Sequence, residues 1–441
     1  MYSAQVAITQ DLPRKLGLLD ATTIVIGTMI GGGIFLVPSI IAKDLPSIPA
    51  MLAVWVITGL VSFFGALAYA ELGAMLPHSG GQYVYLREAY GPLPAFLTGW
   101  IFFLVIQSGS IAAVCVASSR FLAYLLPQVP GLEQWFPPLL IMTLTAVNYI
   151  GVRAGARVQM VFTILKLGGL LLLVGSAILY RGPSEFTWQM PDHLSSAALA
   201  AAMLGAFLAY DGWHVIAFVA GEVINPKRNI ALALAIGVGV TMGIYLIANL
   251  AYFHVLPMDR IIATGRVAAD AAERTMGAVG AAIVTLTIVF STIGAANGSI
   301  MTAPRMYFAQ ARDGLFFRQF ARIHPRFLTP AASILTQGIW TSFLTTTGSY
   351  ETLISYVMFI SWVIHAAAVL GLIVLRRKHP EWERPYRVWG YPWAPLMFAA
   401  FAGWFVVTTL IARPASSLAG CAILLAGIPI YYSVVRLKSP G

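Results

Sequence analysis

The chain has 441 residues, 59% of them hydrophobic and only 10% charged, with a formal net charge of +10. Soluble domains carry roughly 25% charged residues, so this composition excludes a soluble enzyme or binding module and points to a polytopic membrane protein. The positive balance fits charge flanking a membrane rather than a nucleic-acid partner.

The first 15 residues are polar, include Asp11, Arg14 and Lys15, and are expected to form a cytoplasmic N-terminal segment. No small-residue cleavage site follows the first apolar run, so no cleaved signal peptide is expected. That run, about 16–42, is long enough to cross a bilayer. Its centre reads Gly27-Thr28-Met29-Ile30-Gly31-Gly32-Gly33-Ile34-Phe35. Each glycine costs ~1 kcal/mol against alanine inside a helix, so three in a row favour unwinding. Unwound backbone at membrane depth survives only inside protein or beside a wet cavity. Such a break bares N–H groups on one half-helix and C=O groups on the other, a pair suited to an anion beside a cation. An α-amino acid carries both. The same glycines could instead permit close helix packing, and both readings stand at this point.

Further apolar runs bring the count to twelve spans, at about 16–42, 49–76, 91–126, 136–152, 154–180, 194–221, 229–256, 276–312, 329–347, 351–376, 390–412 and 416–436. With the N-terminus inside, nineteen Lys and Arg fall on inner segments and seven on outer ones; Lys166 alone lies mid-span, which accounts for all 27. This bias supports twelve spans with both termini cytoplasmic. Between the second and third spans, Ser79-Gly80-Gly81 marks a turn. Gln82 to Tyr90 then reads as a short amphipathic helix on the membrane surface or a structural connector. Cys115 and Cys421 both fall in apolar segments, with no metal spacing and no disulfide framework.

The sixth span repeats the anomaly of the first. Tyr210-Asp211-Gly212-Trp213-His214 puts an acid, a glycine and a histidine inside an apolar helix. Five spans precede it, so it runs opposite to the first. Interrupted helices in corresponding positions of two halves point to an inverted-repeat transporter with a midplane site. The repeats are expected at 16–180 and 194–376, with two additional spans over 390–436.

Several motifs resemble one family in order along the chain. Gly27 to Phe35 resembles the broken first helix of the amino acid–polyamine–organocation (APC) superfamily, and Ala70-Glu71-Leu72-Gly73 with Pro77 to Tyr83 its second helix and loop. Ala209 to Trp213, Glu222 and Asn225-Pro226-Lys227-Arg228-Asn229 resemble the sixth helix of its L-amino acid transporter (LAT) family. Asn297-Gly298-Ser299 with Arg305, and Arg384-Pro385-Tyr386-Arg387, resemble later elements of the same family. The resemblance runs from about residue 14 to 436.

It implies an all-α fold of the LeuT type, a five-plus-five inverted repeat with helices 1 and 6 broken. It implies a sodium-independent exchanger of small or medium neutral L-amino acids in the plasma membrane, working by alternating access without a cofactor. Backbone amides at Gly31, Gly32 and Gly33 would hold the carboxylate, and carbonyls near Ile26, Ile30 and Phe207 the ammonium. A proton-coupled symporter or a uniporter of the same fold is the alternative. A membrane enzyme using Asp211, His214 and Glu222 lacks a nucleophile with a fitting base and a metal cluster, and a channel or transceptor fits glycine-broken helices less well. Two departures stand out. Relatives often have Ser or Thr at the position of Gly32, and the gating aromatic of span six would fall at Leu208 although the aromatic here is Phe207. The outer loop from Arg120 to Trp135 has no cysteine, so no disulfide-linked heavy chain is expected.

Lys166 lies nine residues beyond Arg157, ~13 Å at helical rise, which is far for snorkelling. An ionisable group at depth normally faces the bundle interior with a partner. By resemblance it would bridge carbonyls near Gly27 or Gly31 to a hydroxyl on span eight, Ser291 or Ser299, with Asn297 in the same neighbourhood. Asp211 could meet a substrate ammonium or cap the second half-helix. His214 reads as a bundle histidine or a base. Tyr252 matches a substrate-proximal tyrosine of relatives, or an interfacial belt residue. Glu71 and Glu222 lie near cytoplasmic helix ends as helix contacts, gate ion pairs or a proton relay.

Overall fold

A computed structural model describes residues 12–183, 188–190, 195–346 and 350–436. The first eleven residues of the expected N-terminal segment lie outside them. The first span is two helices, α1 (Leu18–Met29) and α2 (Gly33–Asp44). Then come α3 (Ile48–Met75) and the short α4 (Gln82–Tyr90). The third span is α5 (Pro92–Ile101), a π-turn at Phe102–Ile106 and α6 (Gln107–Leu125). After α7 (Leu132–Ile150) and α8 (Val152–Leu179), the sixth span is α9 (Ser196–Tyr210) and a 3-10 helix, Trp213–Glu222. Next are α10 (Pro226–Val255), α11 (Met258–Ala263), α12 (Val267–Thr302) and α13 (Pro304–Arg312). The chain continues with α14 (Ala331–Leu344), α15 (Tyr350–Lys378), α16 (Trp393–Ala412) and α17 (Pro414–Arg436).

Among the described residues, ten helical stretches are long and apolar enough to cross a membrane. The fourth and ninth of the twelve expected ranges also carry helix, α7 and α14, but these are not among the ten. Helix α14 has 14 residues, ~21 Å against a hydrocarbon core of ~30 Å. Helix α7 carries Pro137 and Pro138 in its body.

Burial orders the bundle. The first span is 78% buried over its most apolar window, whereas Val152–Leu179 is 28% and Pro414–Ser433 is 22%. The glycine-broken helix is therefore the centre of the protein, and its apolar surface faces other helices rather than lipid. Helix α1 packs on α10, α8 and α12, and α2 packs on α9. The turn at Ser79-Gly80-Gly81 forms as expected, with positive φ at Gly80 (118°) and Gly81 (52°). Helix α4 does not lie on a membrane surface: Tyr83, Val84, Tyr85 and Leu86 are buried under the bundle. The connector reading is the one its packing supports.

Candidate functional site

The break in the first span begins where α1 ends at Met29. Ile30 takes up φ −78°, ψ 82°, which carries the chain out of the helix before α2 restarts at Gly33. The carbonyls left at the end of α1 meet a cation from another helix. Lys166 of α8, fully buried, donates from Nζ to Gly27 O at 2.7 Å, Ile30 O at 2.5 Å and Ser291 O at 3.1 Å. An ammonium offers three donors, and here each has an acceptor. Ser291 Oγ of α12 lies 2.8 Å from Ile30 O and 2.9 Å from Gly31 O. A positive charge at the C-terminal end of a half-helix complements its dipole.

The second break is built from its own residues. Helix α9 ends at Tyr210, Asp211 is extended, and Gly212 adopts φ 108° before the 3-10 helix begins. Only glycine takes that φ at no steric cost. A Cβ on Gly212 would also stand 3.0 Å from the Thr28 carbonyl carbon and oxygen. The two breaks therefore touch backbone to backbone. Thr28 Oγ1 lies 3.0 Å from Gly212 O. The Tyr245 hydroxyl of α10 is 2.8 Å from both Met29 O and Ala209 O, one carbonyl from each interrupted helix. At Gly33 a Cβ would fall 2.7 Å from Ala209 Cα, so α2 and α9 can approach this closely only with glycine there.

Between the breaks lies a cavity of about 410 Å³. Gly31, Gly32 and Gly33 form one wall, at the N-terminal end of α2 where helix N–H groups lack internal partners. Asp211, Gly212 and His214 form another, and Gln107 and Ser110, just after the π-turn, face them. Such π-turns often occur at functional sites. Its exposed lining residues, Ile40, Asp44, Ala412 and Arg413, mark the mouth.

The opposite face is sealed. Lys15 and Leu16 donate their backbone N–H groups to Glu222 O at 2.8 and 2.9 Å, and Ile224 N–H donates to Leu16 O at 2.8 Å. The Glu222 carboxylate is paired with Arg305 at 2.6 Å, and neither side chain is exposed. Glu71 accepts from Arg376 at 2.8 and 2.5 Å and from Val388 N–H at 2.6 Å. Asp313 pairs with Arg87 and accepts from the Tyr83 hydroxyl at 2.6 Å. Burial, with the Asp313 carboxylate beside it, pushes the Tyr83 hydroxyl well above its usual range, so it stays a donor.

Several expected residues therefore gather at this site and others do not. Gly31, Gly32, Gly33, Leu208, Asp211 and Ser299 line the cavity; Ile26, Gly27, Ile30, Phe207 and Tyr252 do not. Gly27 and Ile30 serve Lys166 instead. Phe207 points into an aromatic cluster with Trp362, Phe401 and Phe405. Ser291 meets Lys166 through its carbonyl rather than its hydroxyl. Asn297 belongs to a separate network, with Asn148, Gly155 O and Gln159. The tyrosine that reaches the breaks is Tyr245, two turns before Tyr252, whose own hydroxyl has no partner among the described residues. A tyrosine in mid-span rather than at an interface was the signal available in the sequence. Asp211, His214 and His365 also cluster, with one ligand atom of each within 4.8 Å of the others. His365 had the same signal as His214, an ionisable ring at membrane depth.

A sequence model of the amino acid permease family matches residues 16–434. The chain is 33% identical over 445 residues to the b(0,+)-type amino acid transporter 1 of Homo sapiens, covering 98% of this chain and 90% of that one. It is 33% identical over 437 residues to the large neutral amino acids transporter small subunit 2 of Mus musculus, covering 96% and 81%.

Proposed function

Since this chain belongs to the amino acid permease family, whose members move amino acids and are not enzymes, we propose that it exchanges small or medium neutral L-amino acids across the plasma membrane without sodium. The substrate carboxylate takes the N–H groups at Gly31 to Gly33, at the positive end of α2. The ammonium takes carbonyls at the ends of α1 and α9, around Ile26, Ile30 and Phe207. Ile30 O already accepts from Lys166 and Ser291, and Ile26 O from the Ile30 N–H at 2.9 Å, which leaves Phe207 the larger share; none of the three lines the cavity, so the ammonium reaches them as the breaks shift. The side chain points toward Leu208, Asp211 and Gln107.

The observation that carries sodium independence is Lys166. Its ammonium occupies the carbonyl cluster of the first break and so acts as a built-in cation. With both termini cytoplasmic, the mouth at Asp44 and Arg413 faces outward and the layer at Glu71, Glu222 and Asp313 closes the inside. Alternating access then rocks the first, second, sixth and seventh spans against the rest. The repeats are 16–180 and 194–376, with 390–436 outside them. The chain works without a disulfide-linked heavy chain: Cys115 is buried, and no cysteine lies in the loop from Arg120 to Trp135.

The test is uptake into proteoliposomes loaded with a panel of internal amino acids, with sodium and pH gradients imposed separately. Stimulation by internal neutral amino acid, with no response to sodium, is the expected result. Strict dependence on inward sodium sinks the built-in-cation reading. Acceleration by an inward proton gradient selects proton symport, the reading that a buried lysine with only carbonyl partners would favour if its proton cycles.

A further inference from the structure

Three side chains from two separate elements meet behind the cavity wall. Asp211 and His214 come from the break in the sixth span, and His365 from the body of α15. The two imidazole centroids are 4.5 Å apart, and Asp211 Oδ1 stands 3.4 Å from His214 Nδ1. Both rings are buried, with 2% of His214 and 1% of His365 exposed. The transport reading makes no use of His365, and its Nε2 has no hydrogen-bond partner among the described residues. A buried polar atom left alone needs an explanation, and an ion is one.

The outward-facing ring nitrogens are already addressed. Ser361 Oγ stands 3.5 Å from His365 Nδ1. The Gln107 amide stands 3.4 Å from His214 Nε2, and Gln107 Oε1 is itself without a hydrogen-bond partner among the described residues. The oxygen and nitrogen of an amide are assigned by their surroundings. Turned over, Gln107 presents its orphan oxygen to a proton on His214 Nε2. Each imidazole then carries its proton on the outer nitrogen and turns a lone pair inward, beside a carboxylate. Histidines that hold a metal are arranged this way, one nitrogen ligating and the other donating to a fixed acceptor.

We propose that Asp211, His214 and His365 form a binding site for a divalent transition metal of the zinc class, entered from the cavity. Two imidazoles and a carboxylate suit zinc, cobalt or nickel, whereas magnesium and calcium prefer oxygen donors. Three protein ligands leave the fourth position to water from the cavity, which Asp211 and His214 line. Ligand atoms on a tetrahedral ion lie roughly 3.3 Å apart, given metal–ligand lengths of ~2.0 Å. The present separations, up to 4.8 Å, close by side-chain rotation. Asp211 has the room for it, with 26% of its side chain exposed. A bound ion would pin the break in the sixth span to α15. Its effect on transport rests on the alternating-access reading; its binding does not.

The test is titration of metal-stripped, detergent-purified protein with CoCl₂, followed by visible absorption, with ZnCl₂ and MgCl₂ as competitors. Wild type should take up a single cobalt ion per chain, displaced by zinc and not by magnesium. His365→Asn should weaken binding at least ~10-fold, and Ser361→Ala, which keeps all three ligands, by about 10-fold. No saturable cobalt spectrum in wild type overturns the site, as does a spectrum that survives His365→Asn unchanged. Should His365→Asn fail to fold, the wild-type stoichiometry and Ser361→Ala decide. External ZnCl₂ on proteoliposomes separates the two readings. Zinc that binds without slowing exchange leaves the site standing and removes the rocking motion.

Discussion

The break in the first span is held by a cation from another helix; the break in the sixth is shaped mainly by residues of its own, with the neutral hydroxyls of Thr28 and Tyr245 reaching it from outside. Lys166 crosses from α8 to the carbonyls of Gly27 and Ile30, and no residue of α1 or α2 supplies that charge. In the sixth span, Asp211, Gly212 and His214 are consecutive or nearly so, and the break survives on a carboxylate, a positive φ and an imidazole. The first break is thus a tertiary construction, and the second is largely local. A tertiary construction should fail when its distant partner is lost, while a local one should be adjusted by substitution.

The largest effect is expected at Lys166. Lys166→Met keeps the unbranched apolar stem and removes the ammonium, leaving Gly27 O without the donor that Lys166 gave it. Hydrogen bonds to a charged group contribute ~1.5–3 kcal/mol each, offset by the several kcal/mol that burying the ammonium costs, so a net stability loss of about 3 kcal/mol and uptake at background are expected. Chemical denaturation alongside uptake measures both, and near-wild-type exchange by Lys166→Met would show that the first break stands without its cation.

Next comes Gly33, where the two interrupted spans are in contact. A Cβ there meets Ala209 Cα at 2.7 Å, whereas one on Gly32 meets nothing closer than 3.5 Å. Overpacking costs ~1–3 kcal/mol, so Gly33→Ala should lose most uptake and Gly33→Val all of it. Gly32→Ala should fold like wild type. Melting temperatures and uptake should fall from Gly32→Ala through Gly33→Ala to Gly33→Val; equal behaviour of Gly32→Ala and Gly33→Ala contradicts the packing argument.

A smaller effect is expected at Asp211. Asp211→Gly should change the order in which amino acids compete, by up to about tenfold for individual substrates, and alter stability by ~1 kcal/mol or less, the scale of a lost cap. An unchanged ranking reduces Asp211 to the partner of His214 at its own break.

The smallest effect concerns the tie between the breaks. Tyr245→Phe removes one hydroxyl shared by Met29 O and Ala209 O, ~1 kcal/mol or roughly fivefold in exchange rate. Tyr252→Phe should match wild type, because that hydroxyl has no partner among the described residues. A larger loss at Tyr252 than at Tyr245 reverses the assignment.

Much of this was legible in the sequence because membrane burial makes charge and glycine expensive, and therefore informative. Three glycines, an acid and a lysine at depth located both breaks and the ammonium that serves one of them. What the chain alone could not show is which way side chains turn about a helix. Phe207 and Leu208 are neighbours, yet only Leu208 faces the cavity. Tyr245 and Tyr252 lie two turns apart on one face, and only depth along α10 separates the one that reaches the breaks from the one that does not. The pairing of His365 with His214 joins residues from α15 and the sixth span, a distance that spacing cannot encode. The burial of α4 was equally hidden, since an amphipathic pattern looks the same against lipid headgroups and against a protein wall.

The 3-10 helix Trp213–Glu222 runs for ten residues, well beyond the usual three or four. At ~2.0 Å per residue it reaches about 20 Å, where an α-helix of the same residues would reach about 15 Å. One end abuts Thr28 through Gly212, and the other is clasped by Lys15, Leu16 and Arg305. Rewinding it to an α-helix would draw those ends about 5 Å together. The depth of the cavity and the tightness of the seal are thereby linked through the pitch of one short segment, with no hinge required between them.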